Sequence, residues 1–61
     1  MRPIWSIITE HLWDTFGLDW LCDEHKHATF LHAAVCAFGC SPAQAQDEWR
    51  AYQHALRTAI R

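Results

Sequence analysis

The sequence predicts a small all-α domain of three helices. Apolar residues recur at intervals of three and four along most of the chain, and no segment alternates apolar and polar residues as a half-buried strand does. The only two glycines, Gly17 and Gly39, stand where helix-ending residues are expected. We therefore expect helices at about residues 3–16, 19–38 and 42–60.

Local signals bound the first two predicted helices. Pro3 suits a first helical turn, and a pattern of helical spacing follows it and ends at Gly17. The members of this pattern, which we expect to face the core, are Ile4, Ile8, Leu12, Thr15 and Phe16. Asp19 is a suitable N-cap for the second helix, because its carboxylate can accept hydrogen bonds from the free N–H groups of the first turn. We expect the apolar side of this helix to be formed by Trp20, Leu31, Ala34, Val35 and Phe38.

The third predicted helix has the most complete start signal. Ser41 is expected as N-cap, Pro42 as the first helical residue, and Gln44 three positions after the cap resembles the second half of a capping box. Because so few residues separate the second and third helices, we expect them to form an antiparallel hairpin. The first helix then covers the groove between them.

Length and cysteine content restrict the class of protein. Residues 1–61 can form one domain, in a size range where stability is marginal without additional support. The three cysteines are an odd number and no secretory signal is recognisable, so we expect reduced thiols and a cytoplasmic location. No apolar run approaches the roughly 20 residues of a membrane span, so no membrane partner is expected.

Charge and motif content disfavour two large function classes. The formal net charge of −2 argues against a dedicated nucleic-acid binder, because phosphate contacts supply much of such a protein's affinity. No phosphate-binding glycine loop, nucleophile elbow or pair of catalytic carboxylates is present. We therefore expect a protein that is not an enzyme and that uses no cofactor.

Two apolar side chains of the first helix are predicted to face outward. At about 100° per residue, Ile7 and Trp13 point away from the face centred on Ile8 and Leu12. They can lie at the edge of a wide core or form an interface. Because tryptophan is a favoured interface anchor and a chain this short gains from extra buried area, we expect self-association as a homodimer through this helix.

A stripe of cysteine and histidine runs along the second predicted helix, opposite its apolar face. Soft thiols and imidazoles on one face suggest zinc. On one helix Cys22 and Cys36 lie about 21 Å apart, so one ion could contact the Cys22/His25 pair or the His32/Cys36 pair but not both. Each pair supplies only two ligands, and the others would have to come from a second protomer or from Cys40, His11 or His54. No compact C-x-x-C pair makes the signal specific, and we therefore expect no metal. The stripe comprises Cys22, His25, Thr29, His32 and Cys36.

A row of basic side chains follows one edge of the third predicted helix. Cations near a helix C-terminus interact favourably with the helix dipole, which is a structural reason for the row. The same row can also contact an acidic protein partner or nucleic acid. Its members are Arg50, His54, Arg57 and Arg61.

The segment from Leu31 to Arg50 resembles a helix-turn-helix in its arrangement of small, apolar and turn residues. It departs from that pattern at Glu48, where an apolar residue is usual, and Asp47 would face phosphates.

From these observations together we expect a homodimeric regulator or inhibitor that binds and occludes a larger protein. Its partner-binding residues are Ile7, Trp13, Arg50, His54, Arg57 and Arg61, and a DNA-binding domain is the alternative.

Overall fold

The computed structural model describes residues 2–22 and 24–59, and within them the chain is helical with no strand. Three long helices pack against one another, which confirms the small all-α three-helix fold, and a single helical turn lies between the first and second of them. In chain order the elements are α1 (Ile4–Phe16), α2 (Asp19–Cys22), α3 (Lys26–Cys36) and α4 (Pro42–Ala59).

The second helix is shorter than predicted. The expected helix over residues 19–38 is divided into the single turn α2 and the longer α3, and α3 ends at Cys36 with Ala37 as its C-cap. Glu24 and His25, which precede α3, are exposed. Helices in proteins are stabilised mainly by packing of an apolar face, and these exposed polar residues add no apolar face to a continuous helix.

The predicted end of α1 and the predicted start of α4 are confirmed, whereas Gly39 lies beyond the end of α3 at Cys36. Gly17 and Gly39 adopt φ angles of 63° and 68°, in the left-handed region that favours glycine. The backbone N–H of Gly17 donates to the carbonyl of Trp13 at 2.8 Å, which closes the last turn of α1. At the start of α4, the backbone N–H of Gln44 donates to Oγ of Ser41 at 3.1 Å, as expected of an N-cap.

The core is centred on aromatic rings from α2, α3 and α4. The ring of Phe30 lies parallel to that of Tyr52, with centroids 5.9 Å apart, and contacts Trp49 edge-on at 5.2 Å. Trp20 stacks on Tyr52 at 5.8 Å. Burial raises the pKa of the Tyr52 phenol, because the charged phenolate is poorly solvated there. Ile8 and Leu12 of α1 close this core from the other side.

Helices α3 and α4 form the predicted antiparallel hairpin. Beside their connection, Ala34 and Ala45 are buried, and the backbone N–H of Cys40 donates to the carbonyl of Ala34 at 3.0 Å. Farther from the connection, Phe30 meets Trp49. Later residues of α4 thus contact earlier residues of α3, as in an antiparallel pair. Helix α1 packs against both.

Candidate functional site

Exposed apolar side chains concentrate on α1 and on the turn that follows it. Ile7 and Trp13 are 41% and 40% exposed, so both face outward as predicted, whereas their role in binding a partner stays a prediction. Of the six large apolar side chains exposed among the described residues, only Val35 lies elsewhere, on α3. The other five are Ile4, Ile7, Trp13, Phe16 and Leu18.

Ile7 and Trp13 do not share one patch. Six positions on a helix place them about 120° apart, with Glu10 midway between them. Glu10 forms an ion pair with Arg2, so a charged pair separates the two apolar side chains. The helix therefore carries an N-terminal patch of Ile4 and Ile7 and a C-terminal patch of Trp13, Phe16 and Leu18.

The sequence pattern did not identify two members of the C-terminal patch. The helical spacing from Leu12 predicts that Phe16 lies on the core face, and the pattern does not include Leu18. In the fold, α1 ends at Phe16 and no described element covers its ring, so Phe16 is 49% exposed and Leu18 is 71% exposed. The available signal was Gly17, since the helix that carries Phe16 ends there.

A groove of about 270 Å³ separates α1 from α3. Leu12 and Ala33, which are almost wholly buried, form its floor. His11 and Phe16 line one wall, and Thr29, His32 and Cys36 line the other. The groove is open to solvent, and three of the five members of the predicted cysteine and histidine stripe border it.

Within that stripe, one pair of side chains is in contact. Sγ of Cys36 lies 3.6 Å from Nε2 of His32, and both side chains are exposed. The Cys22/His25 pair cannot be placed in the same way, because the side chain of Cys22 lies outside the described residues. Cys40 is buried in the core. Among the side chains that the structure describes, no group of three or more His, Cys, Asp or Glu could hold a metal ion.

The basic row lies on the exposed face of α4. Arg50, His54 and Arg57 are all exposed, and Arg57 lies in the last turn of the helix. Arg61 lies outside the described residues. The Arg50 guanidinium is 3.8 Å from the carboxylate of Asp47, one turn earlier, so part of its charge is compensated within the chain. The row is distinct from both apolar patches of α1.

The helix-turn-helix resemblance has mixed support. Ala34 and Ala45 are buried as that motif requires, and Gly39 has a positive φ in the connection. The carboxylate of Glu48, however, accepts a hydrogen bond from the backbone N–H of Trp5 at 2.9 Å. The departure from the motif at Glu48 therefore serves the packing of α1 on α4.

Comparison with protein-family models, with curated proteins and with solved structures finds no match to this chain. Within residues 2–22 and 24–59, no helix combines the length and apolar content needed to cross a membrane.

Proposed function

We propose that this chain is a non-enzymatic protein-interaction module, a homodimeric regulator or inhibitor that binds a larger protein through α1 and occludes a site on it. The observation that carries the proposal is the C-terminal patch, in which Trp13, Phe16 and Leu18 are all exposed. Single exposed apolar residues are normal on a protein surface, whereas a patch of large ones is typical of interaction sites.

Trp13 is the expected anchor of the interface. A tryptophan buries a large area at a small entropic cost, and interface energies are usually dominated by a few such side chains. Phe16 and Leu18 extend the same patch toward the end of α1. Together they supply an apolar centre, which in protein interfaces is surrounded by polar groups.

Charged groups on either side of the molecule favour a protein partner over DNA. Asp14 and Asp19, both exposed, lie close in sequence to the C-terminal patch, so a DNA backbone approaching α1 would meet like charge. On α4, Arg50 lies next to Asp47. In a protein complex Arg50, His54 and Arg57 can instead contact acidic side chains of the partner, with Arg61 as the fourth predicted member of the row.

The proposal is tested by capture with variants. The tagged wild-type chain and its Trp13→Glu variant are incubated with native lysate that contains nuclease and a chelator, and bound proteins are quantified. We expect one dominant protein to bind the wild type and to be lost, at least tenfold, with Trp13→Glu. Ala43→Glu is the matched control, since Ala43 is exposed on α4, away from α1.

Far-ultraviolet circular dichroism of both variants checks that the helices are retained. A protein captured equally by all three chains contradicts the assignment to Trp13. A parallel capture uses lysate without nuclease. If the wild-type chain captures protein only in the absence of nuclease, the DNA-binding alternative replaces the proposal.

A further inference from the structure

His32 and Cys36 hold the separation that two ligands of one tetrahedral metal ion have. Zn²⁺ binds thiolate sulfur at about 2.3 Å and imidazole nitrogen at about 2.0–2.1 Å, which at the tetrahedral angle places the two ligand atoms about 3.6 Å apart. Sγ of Cys36 and Nε2 of His32 are 3.6 Å apart. The separation of the two atoms therefore matches that of two ligands of one ion.

One chain supplies only these two ligands. No third His, Cys, Asp or Glu joins the pair among the side chains that the structure describes. Structural zinc sites are four-coordinate, so two positions remain to be filled. A second copy of the chain, related by a twofold axis through the ion, supplies the same two atoms and completes a Cys₂His₂ set.

The exposed face of α3 suits a second copy. Unlike those of α1 and α4, the exposed side chains of α3 include no Asp, Glu, Lys or Arg. Two identical faces can therefore meet without bringing like charges together, and interface centres are typically depleted of charge. Val35, 39% exposed, lies one residue from Cys36 and would be covered. The exposed side chains on the side of His32 are Ala28, His32, Val35 and Cys36, whereas His27 stacks on Trp49 of α4.

We propose that one Zn²⁺ ion bridges two copies of this chain through His32 and Cys36 of each, with their α3 helices facing one another. Each Cys36 thiol releases its proton to solvent as the sulfur–zinc bond forms, and each His32 binds as neutral imidazole through Nε2. Two protons leave per ion. From the sequence alone we expect no metal, because each pair supplies only two ligands. Spacing along the chain does not show how far apart the two ligand atoms of a pair lie.

This inference deepens the homodimer part of the proposed function and moves self-association from α1 to α3. The two ideas are separable. Binding of a larger partner through Trp13 is measured in chelator, whereas the bridge is measured on the purified chain with metal. A result that contradicts one of the two ideas does not contradict the other.

The test is titration of the reduced full chain with Co²⁺ and with Zn²⁺. We expect the visible absorption of a tetrahedral cobalt thiolate, saturating at one ion per two chains. Sedimentation velocity is expected to show a monomer in chelator and a doubled mass with zinc. Cys36→Ser and His32→Gln are each expected to abolish the band and the dimer.

Gln46→Ala is the control, since Gln46 is exposed on α4, and it should bind metal as the wild type does. Circular dichroism in chelator shows whether each variant folds. Three outcomes overturn the bridge: no cobalt thiolate band, saturation at one ion per chain with an unchanged mass, or a dimer of equal strength in chelator. A dimer in chelator that Trp13→Glu disrupts would return self-association to α1.

Discussion

The carboxylate of Glu48 on α4 caps the start of α1, by accepting a hydrogen bond from the backbone N–H of Trp5 at 2.9 Å. The first N–H groups of a helix have no partner within it. Pro3, which precedes α1, makes no side-chain capping bond. A residue 43 positions away therefore supplies the cap, and its negative charge also lies favourably at the positive end of the helix dipole.

Glu48→Ala is expected to destabilise the fold by about 1 kcal/mol, the usual effect of removing a helix cap. Glu48→Gln retains an acceptor oxygen and is expected to lose less. The measurement is urea unfolding followed by circular dichroism. Asp47→Ala is the control, because Asp47 is exposed and is expected to change stability by no more than about 0.5 kcal/mol. Equal losses for Glu48→Ala and Asp47→Ala would show that the Trp5 contact contributes nothing.

The same substitution to alanine is expected to lower the stability of the fold far more at Phe30 than at Phe16. Phe30 is 0% exposed at the centre of the aromatic core, and Phe16 stands in the C-terminal patch. Truncating a buried phenylalanine to alanine costs about 3–5 kcal/mol, a large part of the stability of a small domain. We expect Phe30→Ala to be largely unfolded and Phe16→Ala to keep a cooperative thermal transition. Comparable melting of the two variants contradicts this assignment of core and surface.

Stability is expected to fall at alkaline pH because of Tyr52. Burial raises the pKa of its phenol above the ordinary value of 10.0, so the unfolded chain ionises first as the pH rises. The contribution of the neutral phenol is complete below about pH 10 and is lost as the pH rises through the folded-state pKa.

The check for Tyr52 is the free energy of unfolding of wild type and Tyr52→Phe across this range. Tyr52 is the only tyrosine, so the phenylalanine variant removes this titration entirely. We expect the wild type to lose more stability than the variant between about pH 9 and pH 11. Parallel curves would mean that the phenol is solvated equally in both states.

Binding to duplex DNA is expected to be no tighter than about 10⁻⁵ M at physiological salt, within the non-specific range. Asp47 stands beside Arg50 on the surface that a recognition helix would present. Fluorescence anisotropy with mixed genomic fragments provides the measurement. Nanomolar, sequence-dependent binding that Arg50→Ala abolishes would instead favour the helix-turn-helix alternative.

The fold was predictable because residues next to the helix ends determine where the helices begin and end. Gly17 and the Ser41–Pro42 pair act within one turn of themselves and lie where expected, whereas Gly39 lies beyond the end of α3. The division between α2 and α3 was not predictable in the same way. It depends on which parts of the predicted helix pack against the rest of the fold, and helical periodicity does not show this.

The surface was only partly predictable for the same reason. Helical angles correctly placed Ile7 and Trp13 outward. They misplaced Phe16, because an angle around the axis does not reveal where the covering helices end. The 3.6 Å separation in the His32/Cys36 pair depends on side-chain rotamers, which spacing along the sequence leaves open.

The arrangement of the four tryptophans gives the molecule a built-in optical reporter. Trp5, Trp20 and Trp49 surround Tyr52, with ring centroids 5.7–5.8 Å from its ring, whereas Trp13 stands in the C-terminal patch, 40% exposed. Energy absorbed by the phenol passes readily to an indole at this range, so tyrosine emission should emerge only on unfolding. A water-soluble quencher reaches Trp13 first, and a partner seated on that patch would shield its emission while the three inner indoles continue to report the fold.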